Sequence, residues 1–261
     1  MRKFSVTVII VFASIFAANF TAFAQGPASS KPAESAAPAA AAESHRADDI
    51  IERYIQAIGG AAAWEKLHSR TSLGTIDIPA MNLSGTVMIH EKAPNKSLIA
   101  VIIAGSAFRQ GFDGTMGWSD DPQNGLQMKS GAELLEAKRD ADFYHPLDLH
   151  KLYAKFTFTG TEKIDAHDAY VVEATLPEGG ADEMYFDAQS GLVVRVVSQH
   201  HMDGRVSTFT EDIGDYREVD GIKLPFTIHQ SSAESSFTIK FGEVLHNVDL
   251  NDAEFARPAA R

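Results

Sequence analysis

The chain has 261 residues, 44% hydrophobic and 22% charged, a balance that suits one globular domain with an ordinary core. Its net charge of −12 argues against nucleic acid, whose affinity rests on neutralising phosphate, and against electrostatic adsorption to anionic lipid. There is no cysteine, so disulfides and a lipid-modified cysteine are excluded and stability must come from burial.

Residues 1–24 read as a secretory signal. Arg2 and Lys3 make the basic start, Val6 to Ala18 a mostly apolar run, and Ala22-Phe23-Ala24 a small-x-small cleavage site. The run is short for a membrane span, and no later segment reaches that length. Cleavage near Ala24 is therefore expected to leave a mature chain with no transmembrane segment, periplasmic or secreted, that has lost two positive charges. Residues 25–45, QGPASSKPAESAAPAAAAESH, hold almost no large apolar group and are expected to be a disordered Ala/Pro/Ser linker. The folded domain is expected over 46–261.

RADDIIERYIQAIGG is the clearest helix. Ile50, Ile51, Tyr54, Ile55 and Ile58 make one stripe, Asp48 and Asp49 sit in the first turn, and Gly59-Gly60 stop it. Ala61 to Leu67 suit a short second helix. Period-two segments follow: Leu83, Val87 and Ile89 fall on one face of their strand, with Ser84, Thr86 and His90 on the other. Leu98 to Ala104 are apolar at every position, which a half-solvated strand would not be. Next comes the turn GFDGTMGW, whose Trp118 suits either a core plug beside the turn or part of a ligand mouth.

A third helix is expected from SGAELLEAKRDADF, with Ser130 and Glu133 as a capping box and Leu134, Leu135 and Ala141 as its apolar face. PLDLHKLY, starting at Pro146, suits a turn or a short helix. Alternation then resumes: Phe156 and Phe158; Leu192, Val194 and Val196; Ile222, Leu224, Phe226 and Ile228; Phe237, Ile239 and Phe241. KAPNK, FDGT, DAQSG, MDG and EVDG read as hairpin links. The expected class is mainly β (α+β), with about ten or eleven strands in an antiparallel meander. Its apolar face must be covered, and only a few short helical pieces exist to do it. A curved sheet under a helical lid fits, enclosing either an apolar hollow or a packed core.

A helix ending AIGG, a strand opening GTIDIP, the KAPNK hairpin, RQGFDGTMGW and DYREVDGIKLPFTI together resemble the LolA-like family of periplasmic outer-membrane lipoprotein carriers and lipoprotein-sorting proteins. The resemblance spans roughly residues 46–256. It implies a half-barrel sheet whose open side is plugged by helices and whose hollow takes acyl chains. Candidate ligand-facing residues are Leu83, Val87, Ile89, Ile102, Phe156, Phe158, Leu192, Val194, Phe226, Ile228, Phe237, Ile239 and Phe241, each of which equally suits an ordinary core position. Arg109, after the apolar run, reads as an exposed arginine.

Sites of chemistry are sparse. His200 and His201 are adjacent on an extended segment and point to opposite faces, and His145 and His150 are not at helical ligand spacing. H-E-x-x-H, an EF-hand loop, G-x-S-x-G, S-x-x-K and a phosphate loop after a strand are all missing. No metal, cofactor or catalytic residue is expected, and the chain is read as no enzyme. The expected function is a periplasmic carrier or binding protein for a lipoprotein acyl chain or other amphiphile. Each buried methylene would contribute about 0.8 kcal/mol. The alternative is an envelope protein-interaction or sensor module on the same fold with a filled core.

Overall fold

Alternating apolar and polar residues turn most of the chain into strands, and the helices cover the side that alternation leaves greasy. The computed structural model describes residues 36–202 and 205–259; the expected signal at 1–24 and residues 25–35 lie outside these. Helices α1 (Ala36–Ala57) and α2 (Ala61–Trp64) come first. Strands β1 (Ser69–Ile78), β2 (Leu83–Lys92), β3 (Lys96–Ile103), β4 (Ser106–Phe112), β5 (Gly117–Asp121) and β6 (Gly125–Met128) follow. Helices α3 (Gly131–Asp140) and α4 (Leu149–Leu152) then lead to β7 (Lys155–Ile164). The chain continues through β8 (His167–Thr175), β9 (Ala181–Asp187), β10 (Val193–Met202), β11 (Arg205–Val219), β12 (Ile222–Ser232) and β13 (Ser236–His246).

All thirteen strands form one antiparallel sheet in the order β6-β5-β4-β3-β2-β1-β13-β12-β11-β10-β9-β8-β7. This exceeds the ten or eleven expected, because β5 and β6 are short, with only part of each facing a core. Two consecutive meanders are joined at a single non-consecutive pair, β1 with β13. The sheet is curved and unclosed, with β6 and β7 at its edges. The chain between them, residues 129–154, must therefore travel from one edge to the other, and it does so across the concave face. We call this segment, which carries α3 and α4, the strap.

Of the stripe read from the sequence, α1 buries Ile50, Ile51 and Ile58 and half-buries Tyr54 and Ile55; it also buries Ala47. It starts at Ala36, so residues 36–45, expected as linker, are helical. It stops at Gly59 (φ +114°) and Gly60 (φ +74°), where Gly60 N–H donates to Ile55 O at 2.9 Å. A Cβ on Gly59 would stand 2.4 Å from the Gly221 carbonyl oxygen, so only glycine lets α1 end against the β11–β12 turn. α2 is shorter than the expected 61–67.

The apolar run Leu98–Ala104 has two greasy faces because both are used. Ile99, Val101 and Ile103 look into the concave side, where Val101 and Ile103 are buried. On the convex side, Leu98 packs with Trp118, Leu250 and Phe255, since the chain after β13 folds back over the outside of the sheet. Lys92 Nζ donates to Leu250 O at 2.7 Å, and Lys92 and Lys96 hold Asp252 at 2.8 and 2.6 Å, which draws that carboxyl down to about 2. Ile102, further along the same convex face, is 51% exposed. It is therefore not ligand-facing.

Trp118 is a convex-side plug and takes no part in a mouth. It is 2% exposed, and its Nε1–H donates to Phe255 O at 2.9 Å. Its ring lies over Gly111, where a Cβ would meet Cζ2 at 2.7 Å. Gly111→Ala should push the indole out of its seat and cost about 1–3 kcal/mol in urea unfolding, with a matching loss of near-ultraviolet tryptophan circular dichroism. Arg109 is half-buried, not the exposed arginine expected: it pairs across β4 and β5 with Asp120 at 2.5 Å.

Candidate functional site: a hollow under a helical strap

The strap is fixed to the sheet along its length. At its start, Lys129 N–H donates to Gly117 O at 2.8 Å. In its middle, Phe143 N–H donates to Pro94 O at 3.0 Å and the Tyr144 hydroxyl to Leu67 O at 2.9 Å. At its end, Ala154 N–H donates to Thr175 O at 2.8 Å. Between strap and sheet lies a hollow of about 330 Å³. Tyr54 of α1, Trp64 of α2 and Phe143 of the strap form its roof, over a floor that includes Ile89, Ile228 and Phe241.

Those three floor residues are the ones from the thirteen sequence candidates that line the hollow. Leu83, Val87, Leu192, Phe226, Phe237 and Ile239 lie in or against the large cluster beside it. Phe156 packs in a second cluster under α1, with Phe158 against it and the Arg46 guanidinium 3.8 Å above the Phe158 ring. Val194 faces the other side of the sheet, against Ile164, Val171 and Tyr185. The cause is a register shift between Val193 and Arg195, which breaks the alternation assumed for Leu192, Val194 and Val196 and turns Val193 and Val196 to the hollow.

Polar groups line part of the hollow, on the strap (Lys129, Asp140, Asp142 and His145) and on the sheet. Arg70 and Glu91 are direct cross-strand partners, joined by two hydrogen bonds of 2.6 and 2.7 Å. The guanidinium carbon lies 5.9 Å from the Trp64 ring and 5.8 Å from the Phe143 ring. The pair is half-buried, and the remaining guanidinium nitrogen, Arg70 Nη1, is buried with no hydrogen-bond partner, so this wall keeps one donor that a polar head could use.

A second polar group was not legible as a site. α3 does start after Ser130, but no side-chain capping bond forms there, and Leu135 is 51% exposed. The helix instead buries Glu136, Ala137 and Arg139. Arg139 Nη1 donates to Glu178 Oε1 at 2.8 Å, and Glu136 Oε2 lies 3.8 Å from His200 Nδ1. Tyr153, at the end of α4, donates its hydroxyl proton to Asp182 Oδ2 at 2.8 Å. On the sheet, Gln230 Nε2 donates to Glu211 Oε1 at 2.6 Å, and Ser198 Oγ is 3.0 Å from His200 Nε2. Burial pushes the Asp182 carboxyl up to about 8 and the Tyr153 hydroxyl well up, while it lowers His200 and brings His145 down to about 4.

Ser198, His200 and Glu136 are residue types of an acyl-transfer triad, but the 3.8 Å separation exceeds a hydrogen bond, and neither Ser198 nor His200 lines the hollow. Among the described residues no group of three His, Asp or Glu side chains is placed to hold a metal ion. Among them, too, no helix is long and apolar enough to cross a membrane.

By sequence the chain matches no family model and no curated protein. By structure it is similar to a DUF1329 family protein from Desulfovibrio piger, with TM-score 0.56 and 14% identity over 84% of this chain and 99% of that one. It is also similar to the LolA superfamily protein NE2245 from Nitrosomonas europaea, with TM-score 0.52 and 16% identity over 81% of this chain and 97% of that one. The fold is LolA-like. A domain from Vibrio parahaemolyticus described as an outer membrane lipoprotein-sorting protein agrees, with TM-score 0.50 and 15% identity over 81% and 97% of the two chains. At such identities the likeness carries the LolA-like fold and no ligand.

Proposed function

We propose that the chain is a carrier or binding protein, not an enzyme, that takes one acyl chain or similar amphiphile into the hollow. The observation that carries this reading is the hollow itself: an apolar space of about 330 Å³ between a curved sheet and a strap that spans it edge to edge. That volume is at the low end of the usual range for small-ligand sites, which suits a single chain better than several. Affinity would come from methylene burial, about 0.8 kcal/mol each, and orientation from the Arg70–Glu91 wall. The basic start and apolar run before Ala24 support release into the periplasm, where such a carrier would work.

A fluorescent fatty acid titrated into the full mature chain tests this. The parent is expected to bind it in the micromolar range. Ile213→Trp, which adds bulk where the β11 floor meets the hollow, is expected to weaken binding at least tenfold while thermal stability changes by only a few degrees. A parent that takes up no probe, and yields no lipid when purified from its host and extracted, would overturn the carrier reading. The interaction-module reading would then lead. It draws support from the clusters that already fill the concave face on both sides of the hollow.

A further inference from the structure

The underside of a lid is ordinarily apolar, because apolar contact holds it shut without constraining what lies beneath. Here the strap buries apolar side chains, Ala137, Ala141, Phe143 and Leu149, but it is also seated through buried polar and titratable groups. From the strap come Glu136, Arg139, Asp140, His145 and Tyr153. The β8–β9 turn brings Glu178, and β9 brings Asp182. His200 and Ser198 come from β10, Glu211 from β11 and Gln230 from β12; β8 offers only Ala174 opposite Asp182.

Asp182 is the pivotal member. It is 1% exposed, and it touches the strap directly through the Tyr153 hydroxyl at 2.8 Å. Its second oxygen, Oδ1, is buried with no hydrogen-bond partner. An ionised carboxylate there would be an acceptor-only group with one donor, taken out of water. Burial outweighs the Tyr153 hydrogen bond and the Arg139 charge, which favour the ionised form, and Glu211 opposes it as well. A protonated carboxyl avoids most of that cost. The cost also disappears if the strap lifts and water reaches the group.

We propose that the strap is a lid whose closure depends on Asp182 keeping its proton, so that the lid loosens as the surroundings turn alkaline. The closed state binds the Asp182 proton more tightly than the open state does. Closure is therefore favoured at low pH and lost as pH rises toward the closed-state value near 8. Each pH unit in that window shifts the balance toward opening by up to about tenfold. His145 in the strap and His200 beneath it act in the opposite sense. Burial keeps both neutral, so acid favours opening through them as pH falls below their ordinary value of about 6.5. Between about 6.5 and 8 the two histidines stay largely neutral in both states, and the slope expected there is that of Asp182. The inference concerns the strap and stands whether or not the hollow takes an acyl chain.

The test is hydrogen–deuterium exchange of the ligand-free mature chain from pH 6.5 to 8.5, with rates corrected for intrinsic pH dependence. Protection of amides 131–153 is expected to fall by up to about tenfold per unit between pH 6.5 and 8, while amides of β1, β2 and β13 keep theirs. Asp182→Asn, isosteric and uncharged at every pH, is expected to remove the slope. Tyr153→Phe keeps the titrating group and removes the bond across the seam, so it should lower strap protection throughout while leaving the slope in place. A parent whose strap protection is flat over the window, or an Asp182→Asn chain with the parent's slope, would overturn the proposal.

Discussion

Phe237→Ala should cost about 3–5 kcal/mol and Phe241→Ala only about 1.5–3, although the two rings share one face of β13 and lie four residues apart. Phe237 sits in the closed part of the large cluster, with Ile239 between it and the hollow, so truncation opens a new void. Phe241 already borders the hollow, so its removal loses transfer energy and enlarges a space that exists. Urea unfolding of the two variants measures the contrast, and binding of the fluorescent fatty acid should be weakened by Phe241→Ala. Equal and severe losses at both positions, with no binding by the parent, would mean that the concave side is filled.

Arg139→Met should cost about 3–5 kcal/mol, because it takes the cation out of a seam that buries the carboxylates of Glu136 and Glu211 and leaves Glu178 without its partner. Its guanidinium faces Glu178 at 2.8 Å from a side chain almost wholly buried, in a seam that also holds Glu136 and Glu211. Glu178→Gln takes a carboxylate from that buried guanidinium, so it should cost about 1–3 kcal/mol. The double variant should be less destabilised than the two losses added, because the carboxylate left stranded in the single variant is gone. The measurement is denaturant unfolding near pH 6.5. A loss under about 1 kcal/mol for Arg139→Met would show that water enters the seam freely and that these charges do not hold the strap.

Much of the architecture was legible because it follows from local pattern. The Ile50–Ile58 stripe, the Gly59-Gly60 stop, the β-hairpin links and the faces of β2, β12 and β13 all depend on neighbours in sequence. Which apolar residues face a hollow was not legible. Period two assigns a side chain to a face, but the strap decides which part of that face is packed and which is left open. Tyr54, Trp64 and Phe143 line the roof because of where the helices and the crossing lie, and no sequence period marks that. Val194 was misassigned through a one-residue bulge, and Ile102 because the C-terminal segment covers Leu98 but stops short of it. The buried face of α3 was missed for a different reason. Its Glu136 and Arg139 read as a solvated helix edge, and only tertiary partners such as Glu178 and His200 turn them inward.

The pairing of β1 with β13 has a consequence for how the molecule is made. The central seam of the sheet joins residues 69–78 to residues 236–246, so the two meanders can each zip locally, but they unite only after almost the whole chain is present. Until then β1 presents a bare row of hydrogen-bonding groups, and a product that ends before Ser236 leaves β12 bare as well. Such long-range closure slows folding and lengthens the time during which unpaired edges can find those of another molecule. Synthesis of this protein therefore carries its greatest hazard at the last strand, and C-terminal truncations should accumulate as aggregates more readily than changes of equal size near α1.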